Sequence, residues 1–457
     1  MNITDILLAG WPKNLRTDGT FTCPACGKGV LTVGDGAAHC PGENREFTTG
    51  DLLTLLQQSR SNGTEPKTPP KQEVPPRQSK TESPGAFPHE VMSGFAGNFA
   101  SLFSSYTEAP AQFYYFSAMT MLGNVLADKI VVESQIATQP RLYCLLLGES
   151  ADDRKSTAIS QTVKFFLDFF TRKDFGVCHG VGSAEGLQKR LEENNKLLLC
   201  FDEFKAFVAK CKIESSVLLP CLTTLFESGC YESRTKTSDI SIQNAQISIL
   251  GASTVPTYET MWSSQFTDIG FINRLWIVTG HGERRFSIPP KIPVTDISNL
   301  RYDLQAVLQT VGTGFEMPVD KDAEEIYHTW YMNLDHSVHS RRLDGYALRL
   351  MPLLAVNDRK RVIDLETVKK AIRLCDWQLE VRKLHDPIDS DSVLARMEEK
   401  IRRTLRARGA LTERELKQAT HANRDGLWVF AQAKQNLVKA CEIAWNRGEK
   451  RYETVDA

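Results

Sequence analysis

The stretch Arg141-Leu-Tyr-Cys-Leu-Leu-Leu-Gly148-Glu-Ser-Ala-Asp-Asp-Arg154-Lys155-Ser156-Thr157 decides how this chain is read. Its apolar run predicts a buried strand, Gly148 opens a tight loop, and Lys-Ser-Thr leads into a helix over 158–170. That layout suits a phosphate-binding loop. Loop amides and the helix N-terminus surround a triphosphate, the lysine neutralises its β/γ oxygens, and the hydroxyl that follows holds Mg²⁺. Gly148, Arg154, Lys155, Ser156 and Thr157 are therefore the expected contacts to ATP. The loop departs from the common G-x-x-x-x-G-K-[ST] spacing. Gly148 stands one residue further from the lysine, Arg154 replaces the second glycine, and Asp152 and Asp153 put negative charge beside a polyanion. A plain strand–turn–helix crossover has the same outline, so the neighbouring sequence must choose.

Downstream lies Lys196-Leu-Leu-Leu-Cys-Phe-Asp202-Glu203-Phe204. An apolar run ending in two acids describes a buried parallel strand that carries them to the C-terminal sheet edge, beside the loop. Asp202 would complete the Mg²⁺ shell and Glu203 would polarise the attacking water. A strand that simply ends in a charged turn is the alternative. A third strand, Ile247-Ser-Ile-Leu-Gly-Ala-Ser253-Thr254-Val-Pro256, ends in hydroxyls, of which Thr254 is preferred to Ser253 for holding the water near the γ-phosphate. Gly270-Phe-Ile-Asn-Arg274-Leu-Trp-Ile-Val then sets an arginine immediately before a fourth apolar strand.

This order of loop, Asp-Glu strand, Ser-Ile-Leu-Gly-Ala-Ser-Thr strand and Asn-Arg-Leu strand resembles the AAA+ core of minichromosome-maintenance helicases. It resembles more closely the helicase-like ATPases of phages, plasmids and integrated elements, which often carry an Arg-Lys-Ser-Thr loop. Tyr346-Ala-Leu-Arg349-Leu-Met-Pro-Leu-Leu-Ala355 and Val362-Ile-Asp-Leu-Glu-Thr-Val-Lys-Lys-Ala371 resemble that family's helical lid. The likeness runs from about residue 95 to 457. It implies an α/β AAA+ P-loop core in which Arg349 senses nucleotide and Arg274 reaches the γ-phosphate of a neighbouring subunit. At Thr254 the family's helicases usually place asparagine. The activity implied is that of a ring-forming ATP hydrolase, a homo-hexamer that translocates on or unwinds single-stranded or forked DNA. Its setting would be replication of a mobile genetic element, with a replication or loading partner. Two alternatives stay open: a DNA-binding regulatory or defence ATPase that switches without unwinding, and a nucleic-acid scaffold whose acidic loop no longer binds ATP.

Composition bounds the rest. At 457 residues and 41% hydrophobic content, two or three domains are expected. The net charge of −1 announces no polyanion-binding protein as a whole, yet 393–457 carry 14 Lys/Arg against 9 Asp/Glu. The run 113–132 is interrupted by polar and charged residues, so no membrane span is expected, and eleven cysteines scattered through apolar segments suit a reduced cytoplasm. Residues 59–89 hold seven prolines among polar residues and read as a flexible linker. Over 94–132 helices are expected, with Phe99, Leu102, Phe103, Tyr106, Phe113, Phe116, Met119 and Leu122 at core spacings. The expected divisions are a zinc-ribbon-like module over 1–58, a linker over 59–90, the ATPase core over 91–300, a helical lid over 301–390 and a winged helix over 391–457.

Cys23-Pro-Ala-Cys26-Gly-Lys is a knuckle that aims two thiolates at one Zn²⁺. His39-Cys40-Pro-Gly-Glu43 supplies a second half, in which Cys40 is the third ligand and His39 is favoured as the fourth over Glu43 or water. Cys40 and the Glu-Phe-Thr-Thr-Gly that follows resemble the zinc ribbons of phage and bacterial primases, implying a nucleic-acid or partner-binding appendage. A purely structural role is the alternative. Residues 232–245 alternate as a hairpin. In minichromosome-maintenance proteins such a hairpin enters the ring channel, which makes Arg234 and Lys236 the candidates for salt-sensitive phosphate contacts. In 394–408 a basic amphipathic helix is expected, Thr412-Glu-Arg-Glu415 is a capping box, and a third helix over 427–440 precedes a wing near 443–452. Gln432, Lys434, Gln435 and Lys439 of that third helix would face a major groove, unless the unit is a protein dock.

Overall fold

The computed structural model describes residues 21–23, 30–33, 37–40, 45–48, 85–136, 138–149, 152–171, 174–213, 216–234, 239–262, 266, 269–386, 393–440, 442–446 and 448–455. They belong to two compact units, 1–80 and 81–457. In the first, β1 (Phe21–Thr22), β2 (Val30–Val33), β3 (Ala37–Cys40) and β4 (Arg45–Thr48) form an antiparallel meander. Phe21, Leu31, Ala38, Cys40 and Phe47 are its buried residues, and in β3 and β4 they alternate with half-buried or exposed neighbours, as in a one-sided sheet.

The second unit is an α/β structure. It opens with α1 (Gly94–Ser105), α2 (Ala111–Val125) and β5 (Ile130–Val132). Then come β6 (Tyr143–Leu147), α3 (Lys155–Leu167), β7 (Gly176–His179), α4 (Ala184–Glu193) and β8 (Lys196–Phe201). After α5 (Phe204–Cys211) and α6 (Leu218–Glu227), the hairpin β9 (Tyr231–Arg234) and β10 (Asp239–Ile242) leads into β11 (Gln246–Ser253). The short α7 (Val255–Thr260) precedes β12 (Trp276–Thr279). Five strands form one parallel sheet in the order β12-β6-β11-β8-β7. Every residue of β6 and β11 is buried, which explains why both read as continuous apolar runs rather than alternating ones.

Helix α2 packs across β6, β8, β11 and β12 and is buried on almost every side. The Asn124 amide donates to the Gln246 carbonyl at 3.0 Å, tying the end of this helix to β11. Phe99, Phe103, Phe113, Phe116, Met119 and Leu122 are all core residues, as their spacing predicts, and Leu102 and Tyr106 are half-buried. Each fully buried side chain of this size contributes about 1.5–3 kcal/mol. The helical expectation fails at its end: the chain leaves α2 at Val125, and Ile130–Val132 pairs in parallel with β13 (Phe315–Met317). Three β-branched residues there prefer a pleated surface.

Helices α8 (Val294–Val311), α9 (Lys321–Met332), α10 (Leu343–Asn357) and α11 (Leu365–Leu384) follow. Helix α8 runs straight through residue 300, so the expected core–lid boundary does not mark a break in the chain. The expected linker also ends early. From Gly85 the chain is packed: Phe87 stacks edge-on against Trp377 at 5.1 Å, and the Trp377 indole donates to the Gly85 carbonyl. The earlier part of the linker lies outside the described residues.

The C-terminal residues build a small core of their own. Helix α12 (Val393–Arg408), α13 (Glu413–Ala419), the single turn α14 (Ala422–Asp425) and α15 (Leu427–Lys439) close against an antiparallel pair, β14 (Ile443–Asn446) and β15 (Arg451–Thr454). Ile401, Leu405, Leu416, Phe430, Leu437 and Ile443 fill the interior. The Thr412–Glu415 capping box forms with both reciprocal bonds. Among the described residues no helix is long and apolar enough to cross a membrane.

Candidate active site

Parallel strands put all their C-terminal ends on one edge of the sheet, and here that edge collects the polar residues. β6 ends at Leu147 beside Ser253 of β11, whose Gly251 stands beside Phe201 of β8. The residues that follow the three strands therefore converge. Arg154, Lys155, Ser156, Thr157, Asp202, Glu203, Ser253 and Thr254 line one open cavity of about 390 Å³, joined by Lys205, Ala252 and Thr257. A cavity of this size suits a cofactor-sized ligand. Arg154, Lys155, Ser156 and Thr157 enter from the α3 side, Asp202, Glu203 and Lys205 follow β8, and Ser253, Thr254 and Thr257 come from the end of β11 and the turn after it.

The loop owes its shape to carboxylates. Asp153 is buried, accepts a hydrogen bond from the Glu149 amide, and accepts another from the Gly282 amide at 2.7 Å. A Cβ on Gly148 would lie 2.5 Å from the Asp153 carboxylate, so only glycine fits where the strand turns. Gly282 is equally confined, since a Cβ there would lie 2.6 Å from the Asp152 carbonyl. The segment after β12 thus straps the loop, and Arg284 pairs with Asp152 at 2.9 Å on its outer side. The sequence pattern gave no sign of this strap, because its residues lie some 130 positions away from the loop.

Arg154 adopts a left-handed conformation (φ 50°, ψ 32°), the one a glycine would take at least cost. Its guanidinium holds Glu108 at 2.8 Å, and that bond, with the Phe286 and Arg285 amides, keeps the Glu108 carboxyl below the usual range. The ion pair fixes an arginine where the common loop has glycine. Lys155 opens α3, donating to the carbonyls of Gly148 at 2.9 Å and Glu149 at 2.6 Å. Burial pulls its ammonium below the ordinary lysine value, opposed by the Asp153 and Glu149 carboxylates. Helix α3 begins at Lys155, three residues before its predicted start, and so presents Ser156 and Thr157 from its first turn.

Asp202 and Glu203 are both exposed to the cavity, with Glu203 as the N-terminal cap position of α5. Thr254 caps α7: its hydroxyl accepts from the Thr257 amide at 3.3 Å and donates to the Thr257 hydroxyl at 2.9 Å. Thr257 is a cavity residue that the strand pattern did not single out.

Arg274 and Arg349 do not reach this cavity. Arg274 precedes β12, which places it on the opposite, N-terminal edge of the sheet. Its guanidinium donates to the carbonyls of Ile269 and Gly270. Arg349 of α10 is only 2% exposed and donates to the carbonyls of Gln139 at 2.9 Å and Phe226 at 2.6 Å, stacked 4.0 Å over the Phe226 ring. Both arginines approach Glu227, at 3.8 and 3.6 Å, and Arg342 pairs with the same carboxylate. The C-terminal end of α6 is therefore an arginine cluster around one half-exposed glutamate.

The expected nucleic-acid contacts fare unevenly. The β9–β10 hairpin forms, and Arg234 at its exposed end pairs with Asp239 at 3.2 Å, while Lys236 lies outside the described residues. On α15, Gln435 and Lys439 are exposed and Gln432 is half-buried. Lys434 turns inward to Glu413 at 2.8 Å and lies 5.0 Å over the Tyr452 ring, which takes it out of a groove-reading face. The exposed face of α15 also carries Leu427, Trp428 and Val438.

In the N-terminal unit Cys23 and Cys40 are buried and His39 is half-exposed. Consecutive strand residues point to opposite faces, so β3 directs His39 away from the side of Cys40. That geometry disfavours His39 as a ligand shared with Cys40. Cys26 and Glu43 lie outside the described residues, and the described ones contain no group of three metal-ligating side chains. No family model matches this chain, and no curated protein matches its sequence.

Proposed function

We propose that this chain is an ATP hydrolase of the AAA+ P-loop type that assembles as a ring, a homo-hexamer, and translocates on or unwinds DNA. The observation that carries the reading is the convergence of Lys155, Ser156, Asp202, Glu203 and Thr254 on one cavity at the C-terminal edge of a parallel sheet. Lys155 and the loop amides would cradle the phosphates, with Ser156 and Asp202 as the residues that would hold Mg²⁺. When bound, Mg²⁺ would supply positive charge to the phosphates. Glu203 accepts the proton of the attacking water. Arg274, on the far edge of the sheet, can meet only the nucleotide of another subunit, and to do so must leave the Ile269 and Gly270 carbonyls.

The test is ATP hydrolysis by the purified full chain, with and without single-stranded DNA, beside Lys155→Ala. Turnover that rises with DNA and falls at least about 100-fold in Lys155→Ala is expected. Absence of hydrolysis in both proteins, with and without DNA, would sink the motor reading.

A second reading has one observation in its favour. The exposed face of α15 mixes Trp428, Leu427 and Val438 with Gln435 and Lys439, and an inward Lys434, a composition closer to a protein-contact surface than to a groove reader. On this reading the chain is a regulatory or defence ATPase that recruits a partner through its C-terminal unit, for which we propose a winged-helix fold. ATP-dependent strand displacement on a forked duplex separates the two, since only the motor produces it.

For the N-terminal unit we propose a zinc ribbon held by the Cys23, Cys26 and Cys40 thiolates, a structural staple for a module with few core residues. Elemental analysis of purified protein is expected to find about one zinc per chain, falling in Cys23→Ser. Equal zinc content in the two proteins would refute the site.

A further inference from the structure

Glu108 is a buried carboxylate that the chemistry proposed above does not use. It stands in the turn between α1 and α2, is only 6% exposed, and collects donors from two distant segments. Its Oε2 accepts from Arg154 Nε at 3.0 Å and Nη2 at 2.8 Å, and its Oε1 accepts from the Arg285 and Phe286 amides at 3.1 and 3.3 Å. The Arg285 guanidinium in turn donates to the Ser104 and Thr107 carbonyls, which anchors the turn that carries Glu108.

The same network sorts the charges of the loop after β6. Asp153 is bonded to the Glu149 and Gly282 amides and Asp152 to Arg284, so the strap takes up both acids. The two cations, Arg154 and Lys155, line the cavity instead. A loop that needed only the turn at position 154 would carry glycine, which takes a left-handed conformation at no steric cost. Arginine at φ 50° is strained, so its side chain must supply something that glycine cannot. Glu108 occupies one edge of that guanidinium, the Nε and Nη2 side. The other edge, Nη1 with the second Nη2 hydrogen, has the fork geometry that suits two oxygens of one phosphate group.

We propose, resting on the ATP-hydrolysis reading above, that Glu108 is a positioning residue for nucleotide binding: it fixes the Arg154 guanidinium at the cavity wall, with its free edge turned to a phosphate of ATP. Glu108 touches no substrate atom and takes no proton. It acts through Arg154 alone, and its bonds to the Arg285 and Phe286 amides hold the carboxylate still while it does so.

The experiment is a double-mutant cycle on the full chain: wild type, Glu108→Gln, Arg154→Gly and the double variant, with Lys155→Ala as a control. Equilibrium binding of Mg-ATP, the single-turnover rate at saturating Mg-ATP and the urea midpoint are measured for each. Glutamine keeps an oxygen for the two strap amides but loses the charged grip on Arg154. Glu108→Gln is expected to weaken ATP binding at least about tenfold and to lower the saturated rate less than about threefold. In the Arg154→Gly background the same change should alter affinity less than about twofold, because the residue it acts through is gone. Unchanged affinity in Glu108→Gln overturns the proposal. So does an equal loss in both backgrounds, which would make Glu108 a support of the strap only. Should Glu108→Gln fail to fold, Arg154→Lys decides: it keeps the charge and loses the fork, and wild-type affinity there overturns the proposal as well. If wild type does not bind ATP, or Lys155→Ala binds it as wild type does, the nucleotide reading itself is wrong and the role of Glu108 falls with it.

Discussion

Glu203→Gln is expected to lower ATP turnover by about 10²–10⁴-fold while leaving nucleotide affinity close to that of wild type. Glu203 is delivered by β8 to the cavity edge, one residue past Asp202, and caps the start of α5 without a side-chain capping bond. An amide fills the same volume and keeps a hydrogen bond to water, but it cannot accept the water's proton. The substitution therefore separates chemistry from binding. Steady-state phosphate release and equilibrium binding of Mg-ATP, measured on the same preparations, read the two effects. Turnover within tenfold of wild type would move the base elsewhere, and Thr254 offers no substitute, because its hydroxyl is spent on capping α7.

Arg349→Met should have the largest effect on stability, about 3–5 kcal/mol. The guanidinium is almost completely buried and supplies donors to the Gln139, Arg141 and Phe226 carbonyls as well as charge to Glu227. Burial pulls its pKa below the ordinary arginine value, with the nearby Arg141 adding to the effect. Methionine keeps the stem packed on Phe226 but removes all of these charged donors, leaving the Gln139 and Phe226 carbonyls only the Arg141 amide and guanidinium, and each hydrogen bond lost from a charged group costs about 1.5–3 kcal/mol. Urea unfolding should show a lower midpoint with an unchanged slope. Sensing of nucleotide by Arg349 predicts the reverse: an unchanged midpoint and weaker ATP binding. The geometry favours the first outcome. In the described chain this arginine fastens α10 to the loop before β6 and to the end of α6.

Arg349 also shows where a sequence motif stops being informative. An arginine in a helical lid and an arginine that locks three elements together have the same one-letter pattern. The difference lies in which carbonyls surround it, and those come from positions more than 100 residues away. Lys434 is a parallel case. Its place on the third helix of the C-terminal unit was legible, but its direction was set by Glu413 on a neighbouring helix. His39 is a simpler one, since strand geometry alone turns it away from Cys40, and only the extent of β3 was needed to see it.

What the sequence determined by itself is the set of elements that meet at the sheet edge. Apolar runs that end in Gly148, in Asp202-Glu203 and in Ser253-Thr254 read as buried parallel strands, and parallel strands end on one shared edge. The hairpin at 231–242, the capping box at Thr412 and the apolar spacing of α1 and α2 were legible for the same reason: each depends on residues a few positions apart. Tertiary structure alone decided the order of the strands, the strap from Gly282 onto Asp153, and the pairing of Arg154 with Glu108. These depend on which distant groups arrive beside a side chain, and hydrogen bonds and charge pairs across 100 residues leave no periodicity in the chain to read.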